Sequence, residues 1–346
     1  MPKFSIIMAY MDGNNSFRRR NLFAVLDRLS ILFRDTEIVL AEQNSSSVSE
    51  RLDAFGPNLR RIQVDLDNRF HKTKLLNAAV EAANEDTIIM VDADSYLDEI
   101  AAESLVKGVE MLASGEAGLI YPFDNVDYLT EGQTRRMLSG EEVKSKFCFH
   151  GVHIQRQTGL CNMFTRDAWK AVRGFDLDFT EWGAEDDAFA FKLKRKVGPI
   201  VRLPGRVCHL WHQAVNTDVY QESATYIRNR KLCACIRRMS DEDFDKYVAG
   251  EVTLDSLVAK YDKKKRLDVR LQWSCTQHTL LTVDTTIYDI DYEGGISFTK
   301  ILEAVLREDG ADYIPTFVQE VFDPIPDLSE DQKKEIAEFV EKVRRK

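Results

Sequence analysis

Two aspartates stand one residue apart at the end of an apolar run in "IIMVDADSYLD" (residues 88–98). A carboxylate buried at the end of a core strand is costly unless something pairs with it. Asp92 and Asp94, framing the small Ala93, suit a hard divalent cation such as Mn²⁺ or Mg²⁺, which prefers carboxylate oxygens and often shares itself with a diphosphate. One acid would bind the ion directly and the other would act through water or a substrate hydroxyl. An Asp-rich turn that caps the next helix explains the same spacing. "RVCHLWHQ" (206–213) adds His209 and His212, three residues apart, just after an apolar stretch. Two imidazoles at that spacing can meet one metal, and with Asp94 they make a mixed N/O set suited to Mn²⁺. His150 and His153 repeat the spacing in a segment without periodicity and read as loop residues near a substrate. Glu185, Asp186 and Asp187 open a helix in "EWGAEDDAF" (181–189), where exposed N–H groups and the helix dipole favour acids. Their neighbours Trp182 and Gly183 suggest an aromatic platform beside a carboxylate base. That pairing suits a sugar, which has apolar faces and hydroxyls to grip.

The elements that must position these residues alternate. Strands are expected at 4–9, 37–41, 61–65, 87–91 and 118–121, with helices from Ser16, over 72–83 and over 99–112. This βαβα order predicts an α/β fold with a mostly parallel sheet flanked by helices. Ligands of such sheets bind at the carboxyl ends of the strands, which is where Asp92 and Asp94 fall. Residues 122–158 lose periodicity and read as a long loop with one short helix. A strand at 160–165, a short helix at 166–172 and a helix from Glu185 to Val197, stopped by Gly198 and Pro199, complete the pattern. After about Thr217 the chain becomes helical and charged, with "DVRLQW" alternating like a strand. A boundary is placed near 216, giving a domain over 1–215 and a largely helical C-terminal extension over 216–346.

The bulk properties narrow the class. The 346 residues are 44% hydrophobic and 30% charged, an ordinary globular balance. Forty-seven Lys and Arg against 57 Asp and Glu give a net charge of −10, a poor basis for nonspecific nucleic-acid binding. The six cysteines are scattered and form no CxxC pair, which reads as free thiols in a reducing, cytoplasmic compartment. "MPKFSIIMAYMDG" enters a strand at once, so no leader is expected, and no apolar run reaches the length of a membrane span.

Three segments in order carry a resemblance. "VDADSY" resembles the D-x-D metal motif of GT-A glycosyltransferases of the family 2 type. "GLCNMFTRDAWKAVRGFDLDFTEWGAEDDAFAFKL" resembles the G-F and W-G-x-E-D-D segment of β-1,4-galactosyltransferases and chondroitin-synthase-like enzymes. "AEQNSSS" followed by "FHKTKLLNAA" resembles the stretch between their early strands. The likeness spans roughly residues 3–215.

The resemblance implies a GT-A fold and a metal-dependent inverting transfer of a sugar from a nucleotide sugar, with UDP the expected nucleotide. Asp94 would be the direct metal ligand, completed by His212 and His209; the galactosyltransferases place Met where this chain has His209. Asp186 would be the catalytic base, with Glu185 holding an acceptor hydroxyl. Ala9, Tyr10, Asp12, Glu42, Lys74, Asn77, Asp92 and Trp182 would surround the donor; Glu42 stands where the family usually shows Asp. The expected acceptor is a glycan hydroxyl, with a protein side chain or a hydroxylated DNA base as alternatives. The acidic charge argues against DNA. The extension would serve an oligomer interface or a partner. Two other classes compete: a nucleotide-sugar-binding module without turnover, and a nucleotidyltransferase. The latter would want a Gly-rich basic loop where this chain has "AYMDGNNSFRRR".

Overall fold

A computed structural model describes residues 3–13, 15–44, 52–53, 55–145, 147–150, 157–213, 223–261, 269–273, 278–283, 286–291, 297–309, 311, 314–322 and 329–344. The chain divides into two compact units, Met1–Leu254 and Asp255–Lys346.

The first unit is built on a seven-stranded sheet. In chain order its strands are β1 (Ser5–Tyr10), β2 (Glu37–Gln43), β3 (Leu59–Val64), β4 (Thr87–Val91), β6 (Leu119–Tyr121), β9 (Cys161–Thr165) and β10 (Ile200–Arg202). They lie side by side as β10-β6-β9-β4-β1-β2-β3. Every pairing is parallel except those of β9, which runs antiparallel to both β4 and β6. The expected mixed α/β architecture with a mostly parallel sheet is therefore present. The central strands read as unbroken apolar runs because they are covered on both faces. In β4, Ile88, Ile89, Met90 and Val91 are wholly buried, and each such side chain contributes about 1.5–3 kcal/mol. That burial fixes the strand's register and so fixes where Asp92 emerges.

The helices follow the sequence pattern closely. Helix α1 (Ser16–Leu32) is capped by Asn15, whose side chain accepts from the amides of Phe17 and Arg18; the sequence reading had placed Ser16 there. Helix α2 (Lys72–Ala82) packs on β1 and β2, and α3 (Glu99–Ala113), capped by Asp98, packs on β6 and β9.

The stretch 122–158 is more ordered than expected. It contains β7 (Asn125–Tyr128), α4 (Glu131–Leu138) and β8 (Phe147–His150). With β5 (Ser95–Leu97) and β11 (Arg206–His209) these strands form a second sheet in the order β5-β11-β7-β8. Strands of three or four residues are too short to show alternation, which is why the sequence read as loop. His153 and the side chain of His150 lie outside the described residues.

Beyond α5 (Arg166–Ala171), helix α6 (Glu185–Lys196) carries the acidic triplet on its first turn. Its wholly buried Lys192 donates to the carbonyls of Val172 and Gly174 and pairs with Asp176, tying α6 to the preceding turn. Helices α7 (Ala224–Arg238) and α8 (Asp241–Ala249), assigned to the extension from sequence, are part of the first unit, and α7 packs on α6.

Helix α9 (Leu254–Tyr261) spans the division. The second unit then combines helices α10 (Phe298–Asp309), α11 (Ile314–Phe317) and α12 (Glu330–Arg344) with a three-stranded antiparallel sheet. Its strands are β12 (Val269–Trp273), β13 (His278–Val283) and β14 (Thr286–Asp291). "DVRLQW" foreshadowed only the first of these. Leu302, Val305, Ile314, Phe317 and Phe322 form a separate core. Among the described residues no helix is long and apolar enough to cross a membrane.

Candidate functional site

The turn after β4 is rigid. The Ser95 amide donates to the carbonyl of Asp92, and the chain enters β5, which pairs antiparallel with β11 so that Ser95 lies opposite His209. The Leu210 amide donates to the carbonyl of Asp94 at 2.8 Å. From α1, the buried Asn21 donates to the carbonyls of Leu210 and Trp211, and Thr134 of α4 accepts from the Trp211 amide. The turn after β4 is thus tied to the segment after β11, and α1 and α4 hold that segment in turn.

The result is a cluster of Asp94, His209 and His212. Asp94 Oδ2 lies 3.2 Å from His212 Nε2 and 3.7 Å from His209 Nε2. One ligand atom from each residue falls within 4.8 Å of the others. The His209 ring stacks on Tyr128 at 4.9 Å between centroids. Burial opposes ionisation of Asp94, but the charge of His209 and the hydrogen bond from His212 outweigh it, holding the carboxyl well below its usual range. The hydrogen bond to Asp94 likewise raises His212. Two imidazole nitrogens and one carboxylate oxygen are a donor set that a Mn²⁺-like cation accepts.

Beside this cluster lies a buried charge network. The ammonium of Lys72, at the start of α2, sits 2.9 Å from Asp186 Oδ2, 3.1 Å from Asp92 Oδ1 and 3.4 Å from Glu185 Oε1. Asp92 also accepts from the Leu160 amide at 3.1 Å. Glu185 is held by the Gly183 amide at 3.0 Å. Asp186 Oδ1 is buried and has no hydrogen-bond partner among the described residues. Burial pushes the Asp186 carboxyl up to about 8; Lys72 pulls it down, while Glu185 and Asp92 push it further up. Lys72 itself is raised well above its ordinary value: desolvation disfavours its charge, but Asp186, Asp92 and Glu185 prevail. Gly159 backs this arrangement, since a Cβ there would come within 2.6 Å of Asp186 Oδ2.

A third group gathers at the carboxyl ends of β1 and β2, where Tyr10 lies opposite Glu42 and Ala9 opposite Ala41. The Tyr10 hydroxyl donates to Asp12 Oδ1 at 2.9 Å, and Arg19 Nε donates to the same oxygen at 2.7 Å. Glu42 Oε2 accepts from Arg61 at 2.9 Å, while its buried Oε1 has no hydrogen-bond partner among the described residues. Gln43 is fully used by the carbonyls of Asp67 and Arg69 and the amide of His71.

Two of the expected donor residues are not brought to these groups. Asn77 accepts from the Trp169 indole and the Phe175 amide and donates to the Phe175 carbonyl. Lys74 and Asn77 line a separate surface groove of about 510 Å³ with Trp169 and Leu177. The lysine at the cluster is Lys72, which sequence reasoning passed over. The signal was there: Leu75, Leu76, Ala79 and Val80 form the inward face, and Lys72 shares it at i−3 and i−4. Trp182 is 48% exposed and stacks on Tyr226 of α7, a residue the sequence reading did not single out.

Residues 143–213 match a family model described as the N-terminal domain of galactosyltransferase. No curated protein matches the chain. Among solved structures, the chain is similar to the mannosyltransferase PcManGT from Pyrobaculum calidifontis in complex with GDP-Man and Mn²⁺. The identity is 16% over 76% of each chain, with a TM-score of 0.46. It is also similar to S. aureus TarS 1-349 in complex with UDP-GlcNAc, at 13% identity over 99% of this chain and 92% of that one, with a TM-score of 0.49. The segment that matches the galactosyltransferase model contains Trp182, Glu185, Asp186, His209 and His212.

Proposed function

We propose that the chain is a metal-dependent, inverting glycosyltransferase that moves a sugar from a UDP-linked donor to a glycan hydroxyl. One observation carries the reading: Asp94, His209 and His212 form a cation-sized N/O set beside a buried carboxylate, Asp186, that keeps one oxygen without a hydrogen-bond partner among the described residues. A divalent cation bound by that set would supply Lewis-acid neutralisation of a diphosphate leaving group. The chain's own residues do the rest. Asp186 Oδ1 takes the proton from the acceptor hydroxyl as that oxygen attacks the anomeric carbon. Lys72 holds Asp186 through the other oxygen, Oδ2, and balances the charge of Asp92 and Glu185. Glu185, fixed by the Gly183 amide, orients the acceptor, and Trp182 offers an exposed ring to a sugar's apolar face. Tyr10, Asp12 and Glu42 form the nucleotide end of the site, where Glu42 Oε1, without a hydrogen-bond partner among the described residues, can accept from a base N–H.

Attack opposite the leaving group converts an α-linked donor into a β-glycoside. Proton NMR of the product formed from an α-linked UDP-sugar and a panel of p-nitrophenyl glycosides checks this. A β anomer is expected, and an α anomer would contradict inversion. Replacing Asp94 by Ala is expected to remove Mn²⁺ binding measured by calorimetry; retained binding would place the ion elsewhere.

A further inference from the structure

The turn that delivers Trp182, Glu185 and Asp186 is strained. Glu181, Gly183 and Ala184 have φ of 59°, 114° and 68°, and two of the three carry a Cβ. Such conformations persist only where the surroundings over-determine them. From within the sheet domain the turn receives one backbone bond, from the Glu181 amide to the Phe70 carbonyl at 2.8 Å. Its flanks are also held from the sheet domain, by Lys72 on Glu185 and Asp186, Thr73 on the Phe179 carbonyl and Thr158 on Asp187. A second set of holds comes from helix α7, outside the segment that matches the galactosyltransferase model.

Four residues of that helix grip the turn and its flanks. The Tyr226 ring stacks on Trp182 with centroids 5.4 Å apart and planes 14° from parallel. Arg228 donates to the Asp178 carbonyl at 2.6 Å. Asn229, wholly buried, donates to the Thr180 carbonyl at 2.8 Å. Arg230, nearly buried, lies 3.6 Å from Asp187. Residues 226, 229 and 230 share one helix face by their spacing. Gly183 fits the same arrangement, because a Cβ there would come within 2.6 Å of the Tyr226 ring.

We infer that α7 is the positioning clamp of the acceptor side, in which Tyr226 and Asn229 hold Trp182 and the base-bearing turn in their working geometry for a saccharide acceptor. The inference rests on the glycosyltransferase reading for its functional half and on geometry alone for its structural half. Tyr226 acts through Trp182, and Asn229 through the turn's backbone. Neither is a catalytic residue.

The test uses the full chain as wild type, Tyr226→Ala, Tyr226→Phe and Asn229→Ala, with hydrogen exchange followed by mass spectrometry. Losing the stacked ring should speed exchange at residues 180–184 by roughly five- to tenfold, the equivalent of an aromatic pair. Peptides covering 87–97 should be unchanged, and Tyr226→Phe should match wild type. In turnover of a UDP-sugar with the p-nitrophenyl glycoside panel, the two Ala variants should lose a similar factor in kcat/KM for the glycoside, with the KM for the donor unmoved. Unchanged exchange at 180–184 in both Ala variants would overturn the clamp. So would a turnover loss that appears in the donor's KM instead. A wild type that turns over no donor would defeat the glycosyltransferase reading, and the exchange result would still decide whether α7 holds the turn.

Discussion

At the scale of single residues, the proposed transfer depends most on Asp186. A general base acts deprotonated and typically contributes about 10²–10⁴-fold, so Asp186→Asn should lower transfer by that order. Burial lifts the Asp186 carboxyl to about 8, so wild-type activity should rise with pH through that value and the Asn variant should lack that limb. The same shift has a stability consequence. The folded carboxyl lies above its ordinary 3.8, so its contribution is complete below that value and is lost as pH rises through about 8. Urea unfolding of wild type and Asp186→Asn between pH 4 and 9 should show the slope only in wild type.

Lys72→Met removes the cation that pairs with all three of Asp92, Glu185 and Asp186. Leaving buried charge uncompensated should cost about 3–5 kcal/mol, visible as a lower unfolding midpoint at neutral pH. The acids and histidines were legible because D-x-D, the His pair and the acidic triplet are local patterns. Lys72 was not, because "HKTKLLN" offers two lysines and only the helix phase decides which one is buried. Asn77 was legible as a polar residue but not as the one that pins Trp169 and Phe175, since those partners lie about a hundred residues downstream.

At the scale of elements, the site depends on close approaches that no side chain can enter. Gly159→Ala would put a Cβ within 2.6 Å of Asp186 Oδ2. The variant should fold, with an unchanged circular dichroism spectrum, and lose transfer by about tenfold or more, since a misplaced reacting group costs that order. Full activity in Gly159→Ala would mean that Asp186 does not work from this position. The parallel sheet was readable from its long apolar runs and helical spacing. The second sheet was not, because its strands have three or four residues and pair segments far apart in sequence. The pairing of β5 with β11 brings Ser95 opposite His209, and that long-range register joins the D-x-D turn to the His pair.

At the scale of the whole molecule, the chain divides into its two compact units after Leu254. The sequence reading placed its boundary at 216 because the composition turns charged there, yet α7 and α8 bury Leu232, Cys233, Cys235, Ile236 and Phe244 in the first unit. A chain ending at Leu254 should therefore unfold in one cooperative transition and retain Mn²⁺ binding, whereas one ending at 215 should expose the face of α6 that α7 covers and aggregate. Scanning calorimetry and light scattering of the two truncations check this. The acidic net charge of −10 fits a small-molecule donor and a neutral or saccharide acceptor better than a polyanion.

The most direct test of the central claim is release of nucleoside diphosphate from a panel of UDP-, GDP- and TDP-sugars, measured with Mn²⁺ and with EDTA, for wild type and Asp94→Ala. Wild type should turn over one donor class only with Mn²⁺, and both EDTA and Asp94→Ala should abolish the release. Release that persists in EDTA or in Asp94→Ala would contradict a metal-dependent transfer built on Asp94, His209 and His212.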